Sequence, residues 1–275
     1  MNPGPDPTPH AEPYAADLAL IRAAALEAGE LALVLQRKGD LEVRSKSGGS
    51  PVTEADLALD ELLKTRLLQA RPDYGWLSEE TADDHSRLAG GRSFVVDPID
   101  GTVAYIKGRP WWVVSIAVVE AGASVAGVIH APVVAETYDA TAGGGARLAG
   151  KLIHVSDRAR LEDCAMLTDI NMIRHVDWPQ PWPPMRIETR NSVAYRMALV
   201  AAGAFDAVLA LSSKCDWDVA AGDLIAREAG GVVSDHQGSA YAYDRASCTK
   251  PSLVCAGPAL YPLILERVSL IELRR

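Results

Sequence analysis

A short β-branched run, Ser93-Phe94-Val95-Val96, leads directly into Asp97-Pro98-Ile99-Asp100-Gly101-Thr102, and no other stretch restricts the fold of this chain as tightly. Proline fixes its own φ and pushes the residue before it toward an extended conformation. The strand is therefore expected to stop at Asp97-Pro98, with the two acids flanking a turn at its carboxyl end. Gly101-Thr102 then opens a short helix, whose free N–H groups form a site for a phosphate. Carboxylates beside such a site repel the anion unless divalent cations lie between them. Mg²⁺ suits that place, because it takes one or two carboxylates, keeps several waters and completes its octahedron with phosphate oxygens. Asp-Pro and Asp-Gly alone are ordinary turn formers. The apolar strand before them and Thr102 after them favour the functional reading.

Two further segments carry acids. Glu79-Glu80 follows Trp76-Leu77-Ser78, and Asp216-Trp217-Asp218 opens a helix that runs to Gly230-Gly231. Helix capping accounts for one aspartate, but not for the large apolar Trp217 beside it. The spacing of the first segment excludes haloacid-dehalogenase chemistry, which needs two aspartates two apart; here they are three apart with proline between, so no nucleophilic aspartate is implied. The six histidines are dispersed and none is assigned to metal. The four cysteines have no zinc-like spacing and read as reduced thiols in a cytoplasmic protein; Cys215 reads as a buried, inert thiol.

Around these segments the chain alternates in blocks. Leu18, Ile21, Ala25, Ala28, Leu31 and Leu35 recur at helical spacing from Ala16 to Gln36, and a second helix opens at Thr53 and ends at Pro72. Gly75–Leu77, Trp112–Val119 and Val125–Ile129 read as strands, and LIHVS (152–156) as strand-like. Ser192 to Leu209 reads as one helix and Val219 to Ala229 as another, while the prolines of 177–184 exclude a regular element. Blocks of this kind predict layered α+β or α/β architecture with mixed sheets, not a doubly wound domain. With 275 residues, two units of roughly 100–150 residues are expected: a flexible tail over 1–13, an N-terminal α+β domain over 14–145 and a C-terminal α/β domain over 146–275. The net charge of −9 disfavours nucleic-acid polymers and anionic membranes as partners. No run has membrane-spanning length, and the N-terminus has no basic-then-apolar export pattern.

In these segments the chain resembles the inositol monophosphatase family, lithium-sensitive Mg²⁺-dependent phosphatases related to fructose-1,6-bisphosphatase. The family pattern D-P-[IL]-D-[GS]-[TS] is met by DPIDGT at 97–102, and W-D-x-A-[AG]-[GA] with its E-A-G-G helix end by WDVAAGDLIAREAGG at 217–231. Ser78-Glu79-Glu80 and Val52-Thr53-Glu54-Ala55-Asp56 match two further elements, in order, over roughly residues 16–265. The resemblance implies an alternating αβαβα sandwich of the sugar-phosphatase type and two to three Mg²⁺ ions. It assigns Glu79, Asp97 and the Ile99 carbonyl to one ion, and Asp97, Asp100 and Asp218 to a second, with Glu79 shared by a weaker third. Glu79, Asp56 and Thr102 become catalytic groups around an attacking water. Asp100, Gly101, Thr102, Ser192, Val193 and Asp218 become the phosphate- and substrate-binding set. Asp56 has a competing role, since T-E-A-D is also a capping box. Lys46 sits where the family often has a lysine near the site. A homodimer and lithium inhibition are implied as well.

The activity this implies is hydrolysis of a small phosphorylated metabolite, with inositol monophosphate as the default substrate. Relatives acting on inositol carry an acid before the W-D motif. Val208–Ser213 has none, and a 3′(2′),5′-bisphosphate nucleotidase is the alternative. A metal- and phosphate-binding protein without turnover would need a missing ligand, and none is missing.

Overall fold

The computed structural model describes residues 12–39, 42–45, 51–175 and 178–273. Lys46 lies outside them. Among the described residues the helices are α1 (Glu12–Lys38), α2 (Glu54–Ala70), α3 (Thr102–Ile106), α4 (Ile170–His175), α5 (Val193–Ala201), α6 (Asp216–Glu228) and α7 (Tyr261–Val268).

Both N-terminal helices follow their apolar spacing. α1 buries a face of Ile21, Ala25, Ala28 and Ala32, and small side chains let its backbone come close to the sheet. At Gly29 an added Cβ would lie 2.6 Å from the His130 ring. α2 buries Leu59, Leu63 and Leu67 and stops ahead of Pro72.

A seven-stranded sheet runs in the order Gly75–Ser78, Arg92–Asp100, Val113–Glu120, Ala123–Ala131, Glu136–Thr141, Ala146–Leu148 and Lys151–Leu152. Its first pair is parallel and the other pairs are antiparallel. Strand parity separates its two faces. Phe94, Val96, Ile116 and Val118 pack with α1 and α2, whereas Val95, Ala117, Val119 and Ile129 pack with α5 and α6. The second sheet has the order Arg186–Glu188, Ala165–Leu167, Ala207–Ala210, Leu253–Ala256, Val232–Ser234. Its Leu167, Val208, Leu253 and Cys255 complete the central core, and Met166, Leu209 and Val254 meet α7 on the far face. The result is five layers, αβαβα, as expected.

Four local expectations are corrected. The strand through Phe94 does not stop at Asp97-Pro98. Asp97 pairs with Ser115 and Asp100 with Val113, and the register shifts between them. An irregularity of this kind is one of the few places where a sheet accepts proline. The segment Ser192–Leu209 is not one helix: α5 ends at Ala201, Gly203 turns the chain at φ +68°, and Ala207–Ala210 is a strand. Only Lys151–Leu152 of the LIHVS region is paired in a strand, because Val155 N–H bonds the Ala229 carbonyl at the end of α6 (3.0 Å). Finally, Ala146–Leu148 and Lys151–Leu152 belong to the first sheet, so a division at 145 cuts through that sheet. The prolines of 178–184 do lie outside any helix or strand.

Candidate metal centre

The acids named from the sequence arrive from four elements. Asp97 and Asp100 stand on the irregular end of the strand Arg92–Asp100, and Glu79 directly follows the strand Gly75–Ser78, its N–H bonding the Val96 carbonyl (3.3 Å). Asp218 occupies the first turn of α6, and Asp56 the first turn of α2. One carboxylate oxygen from each of Asp97, Asp100 and Asp218 lies within 4.8 Å of the others. Glu79, Gly101 and Thr102 join these three around a cavity of about 240 Å³.

Each acid is aimed by backbone bonds. Asp97 Oδ1 accepts the Ile99 N–H (3.0 Å) across the proline. Asp100 is held by α5, accepting from Ser192 Oγ (2.6 Å) and from the N–H groups of Val193 (3.2 Å) and Ala194 (2.6 Å). Asp218 accepts the Cys215 N–H (2.7 Å) and so closes the start of its own helix. Asp56 divides its two carboxylate oxygens between the helix cap and Thr102. Its Oδ2 accepts from the Thr53 N–H (2.8 Å) and hydroxyl (2.6 Å) in a capping box, while its Oδ1 accepts from the Thr102 hydroxyl (3.2 Å).

Burial makes this cluster costly. It pushes Asp97 well above the ordinary carboxylate range, and the charges of Glu79, Asp100 and Asp218 add to the rise. Asp100 is pushed up to about 6 by burial, against the pull of its three α5 donors. Asp218 rises to about 7, again through burial and then through Asp100. Burial also raises Asp56, partly offset by Thr53. Among the described residues no cation forms an ion pair with Asp97, Asp100 or Asp218, in contrast to Asp216 two residues before Asp218, which pairs with Lys250. Buried anions without compensation are strongly unfavourable. An all-oxygen set of this density is the donor chemistry of hard divalent cations, so the residues fit Mg²⁺.

Gly101 sets the start of α3 beside the carboxylates. It precedes α3 at φ +101°, and a Cβ there would lie 2.9 Å from the Trp111 carbonyl oxygen. Backbone conformation and space both require glycine. The Ala104 and Tyr105 amides return to the Gly101 carbonyl. The amides of Thr102 and Val103 come before the first helical bond, and both residues line the cavity.

Not every expected substrate contact is available. Ser192 is fully buried and its hydroxyl is engaged by Asp100. Val193 lines the cavity, but its N–H is also turned to Asp100. These residues aim Asp100 instead of presenting donors to a ligand. Cys215 is half-buried, not sealed in the core, and its thiol lies 3.0 Å from that of Cys248. The sequence reading missed Ala194, the third donor to Asp100, and Lys214, which lines the cavity. A lysine four residues ahead of Asp218 was visible, but nothing in the sequence showed which way the chain turns there.

A model of the inositol monophosphatase family matches residues 14–272. The chain is 31% identical over 259 residues to Nus factor SuhB of Pasteurella multocida, covering 90% of this chain and 93% of that protein. It is 34% identical over 216 residues to an inositol-1-monophosphatase of Mesorhizobium japonicum, covering 76% and 80%. It is also 34% identical over 231 residues to a histidinol-phosphatase of Chlorobaculum parvum, covering 81% and 86%. Among solved structures, the extragenic suppressor protein suhB of Bartonella henselae superposes with a TM-score of 0.80 at 29% identity, over 93% of this chain and 99% of that one.

Proposed function

The chain belongs to the inositol monophosphatase family, and from that premise we propose that it is a Mg²⁺-dependent phosphomonoesterase acting on a small phosphorylated alcohol. The observation that carries the reading is the buried Asp97, Asp100 and Asp218 cluster, which forms no ion pair with a cation among the described residues, beside the amides of α3. Glu79, Asp97 and the Ile99 carbonyl would hold one cation; Asp97, Asp100 and Asp218 would hold a second. Bound there, the cations supply charge that neutralises the ester and acidifies water.

The remaining work falls to the chain itself. The Gly101–Thr102 amides receive phosphate oxygens. Thr102 and Asp56, linked at 3.2 Å, orient the attacking water from one side, and Glu79 accepts from it on another. Asp56 is locked by Thr53, so little reorganisation is needed when the water binds. In-line attack then releases inorganic phosphate without a covalent enzyme intermediate. None of the named groups is missing, which speaks against a protein that binds phosphate without turnover.

Inositol monophosphate is the reference substrate for this reading. Lithium inhibition and a homodimer belong to it as family expectations, and a cytoplasmic setting follows from the reading of the cysteines as reduced thiols. Among the described residues no helix is long and apolar enough to cross a membrane. The test is release of phosphate from a panel of phosphorylated metabolites with and without Mg²⁺. The reading requires metal-dependent release from at least one of them, and release from none would overturn it.

A further inference from the structure

Of the acids around the cavity, Asp97 and Asp100 stand on a sheet strand and Asp218 on a helix, whereas Glu79 lies in the connection from Gly75–Ser78 to Arg92–Asp100. A carboxylate in a connection points reliably only if the turn that carries it is held.

That turn is held from α2. Asp60 follows Asp56 by one helical turn and lies on the same face of the helix. Its Oδ1 accepts from the Ser78 hydroxyl (2.5 Å) and its Oδ2 from the Thr81 hydroxyl (2.5 Å), so its two oxygens bracket the Glu79-Glu80 pair. Ser78 Oγ in turn accepts the Glu80 N–H (3.3 Å). An ionised carboxylate can only accept. Both hydroxyls therefore donate toward Asp60, and a lone pair of Ser78 is left facing the Glu80 amide. Asp60 and Ser78 are buried, and Asp60 does not line the acidic cavity. A buried carboxylate is a costly group with which to pack a helix; what it adds here is a matched pair of acceptors on either side of Glu79, in bonds about twice as strong as neutral ones. Beyond Thr81 the connection is fastened elsewhere, by Arg87, which donates to Asp83 Oδ2 (2.8 Å) and to the Arg245 carbonyl (2.7 Å). Loss of the Asp60 bonds thus releases residues 78–81 and not the whole connection.

We propose that Asp60 is a positioning residue for Glu79: it fixes the turn 78–81 so that the Glu79 carboxylate is already in place for the cation and the water. The proposal rests on the phosphomonoesterase reading. It makes α2 the common support of two sides of the site, Asp56 reaching Thr102 and Asp60 holding the Glu79 turn.

The experiment titrates the metal-free protein with Mg²⁺ alone in a calorimeter, as wild type and as Asp60→Asn, which keeps the size of the side chain and leaves one acceptor oxygen in place of two. One binding event is expected to weaken about tenfold in Asp60→Asn, the scale of losses when a group that orients a metal ligand is removed, while the other stays within twofold. With the ester that the wild type turns over fastest, the Mg²⁺ concentration for half-maximal phosphate release rises by the same factor. At saturating Mg²⁺ kcat falls and the KM for the ester stays within twofold. Thr81→Val removes a donor from the other side of the same contact; it weakens the same event and adds little to Asp60→Asn in the double variant. If Asp60→Asn does not fold, Thr81→Val alone decides. A folded Asp60→Asn that has a lower Tm but wild-type Mg²⁺ affinities overturns the proposal, since Asp60 then only fastens α2 to the connection, and the phosphomonoesterase reading stands. Equal weakening of both events overturns it too, because it reports a general distortion. Wild-type protein that neither binds Mg²⁺ nor releases phosphate removes both.

Discussion

Asp97 concentrates the chemistry of the site in one side chain. It is buried, is surrounded by the charges of Glu79, Asp100 and Asp218, and has its Oδ1 fixed by the Ile99 N–H. Asp97→Asn keeps the shape and removes the charge that two cations would share. Its phosphate release is expected to fall by roughly three orders of magnitude, on the scale of other losses of transition-state charge stabilisation, while the folded protein survives. A malachite-type assay checks it, and circular dichroism shows that folding is retained. Gly101→Ala attacks the same site through the backbone. Holding alanine at φ +101° costs about 1–2 kcal/mol, and its Cβ would collide with the Trp111 carbonyl. A lowered midpoint in urea and a loss of turnover are expected together. At this scale the hexapeptide was legible, because Asp-Pro-x-Asp-Gly-Thr is local chemistry. Asp56 was legible only as a choice between a cap and a catalytic group. The structure shows one carboxylate oxygen turned to each neighbour, a division that no linear pattern contains.

Among the elements, the starts of α5 and α6 fix the site. α5 donates its first amides to Asp100 while Ser192 Oγ also accepts the Tyr195 N–H (2.9 Å). One serine thus caps the helix and aims Asp100. α6 begins between two acids with opposite fates: Asp218 turns to the cluster, whereas Asp216, fully buried, is neutralised by Lys250 from the neighbouring strand. Lys250→Met strands that charge. A loss of about 3–5 kcal/mol is expected, as for other broken buried pairs, and should appear in urea unfolding; Lys250→Met with Asp216→Leu should recover much of it. The element boundaries explain where the sequence was unreadable. From Ala194 to Leu211 the chain is almost continuously apolar, so periodicity cannot separate a helix buried between sheets from the strand that follows it. Only Gly203 marks the break. The strand past Pro98 was hidden for the opposite reason: a local stop signal is overruled by pairing with Val113 and Ser115, which are distant in sequence.

Across the whole molecule, the five layers bring four chain segments to one point at the ends of strands and the starts of helices, and the cost is a cluster of crowded acids. That cost has a pH signature. The metal-free protein holds Asp100 near 6 and Asp218 near 7, above their unfolded values. Each acid therefore binds its proton more tightly in the folded state, and the stability this gives is full below about pH 4 and lost as pH rises through 6 and 7. Thermal unfolding without metal should show a lower Tm at pH 8 than at pH 5.5. Added Mg²⁺ should raise the Tm more at pH 8, because protons no longer compete for the same oxygens. A layered architecture with mixed sheets was foreseeable from blocks of helical and strand spacing, and its αβαβα order only from the family resemblance. The seam near 145 was not, since the sheet to which a short strand such as Lys151–Leu152 belongs is set by a pairing that no linear pattern shows.

The most direct measurement is calorimetric titration of the metal-free protein with Mg²⁺ at pH 7.5, in two buffers of different ionisation enthalpy. At least two ions should bind per chain, with protons released, and Asp97→Asn should abolish one or both events. Wild-type protein that takes up no Mg²⁺, or an Asp97→Asn variant that binds it as the wild type does, would contradict the assignment of these carboxylates.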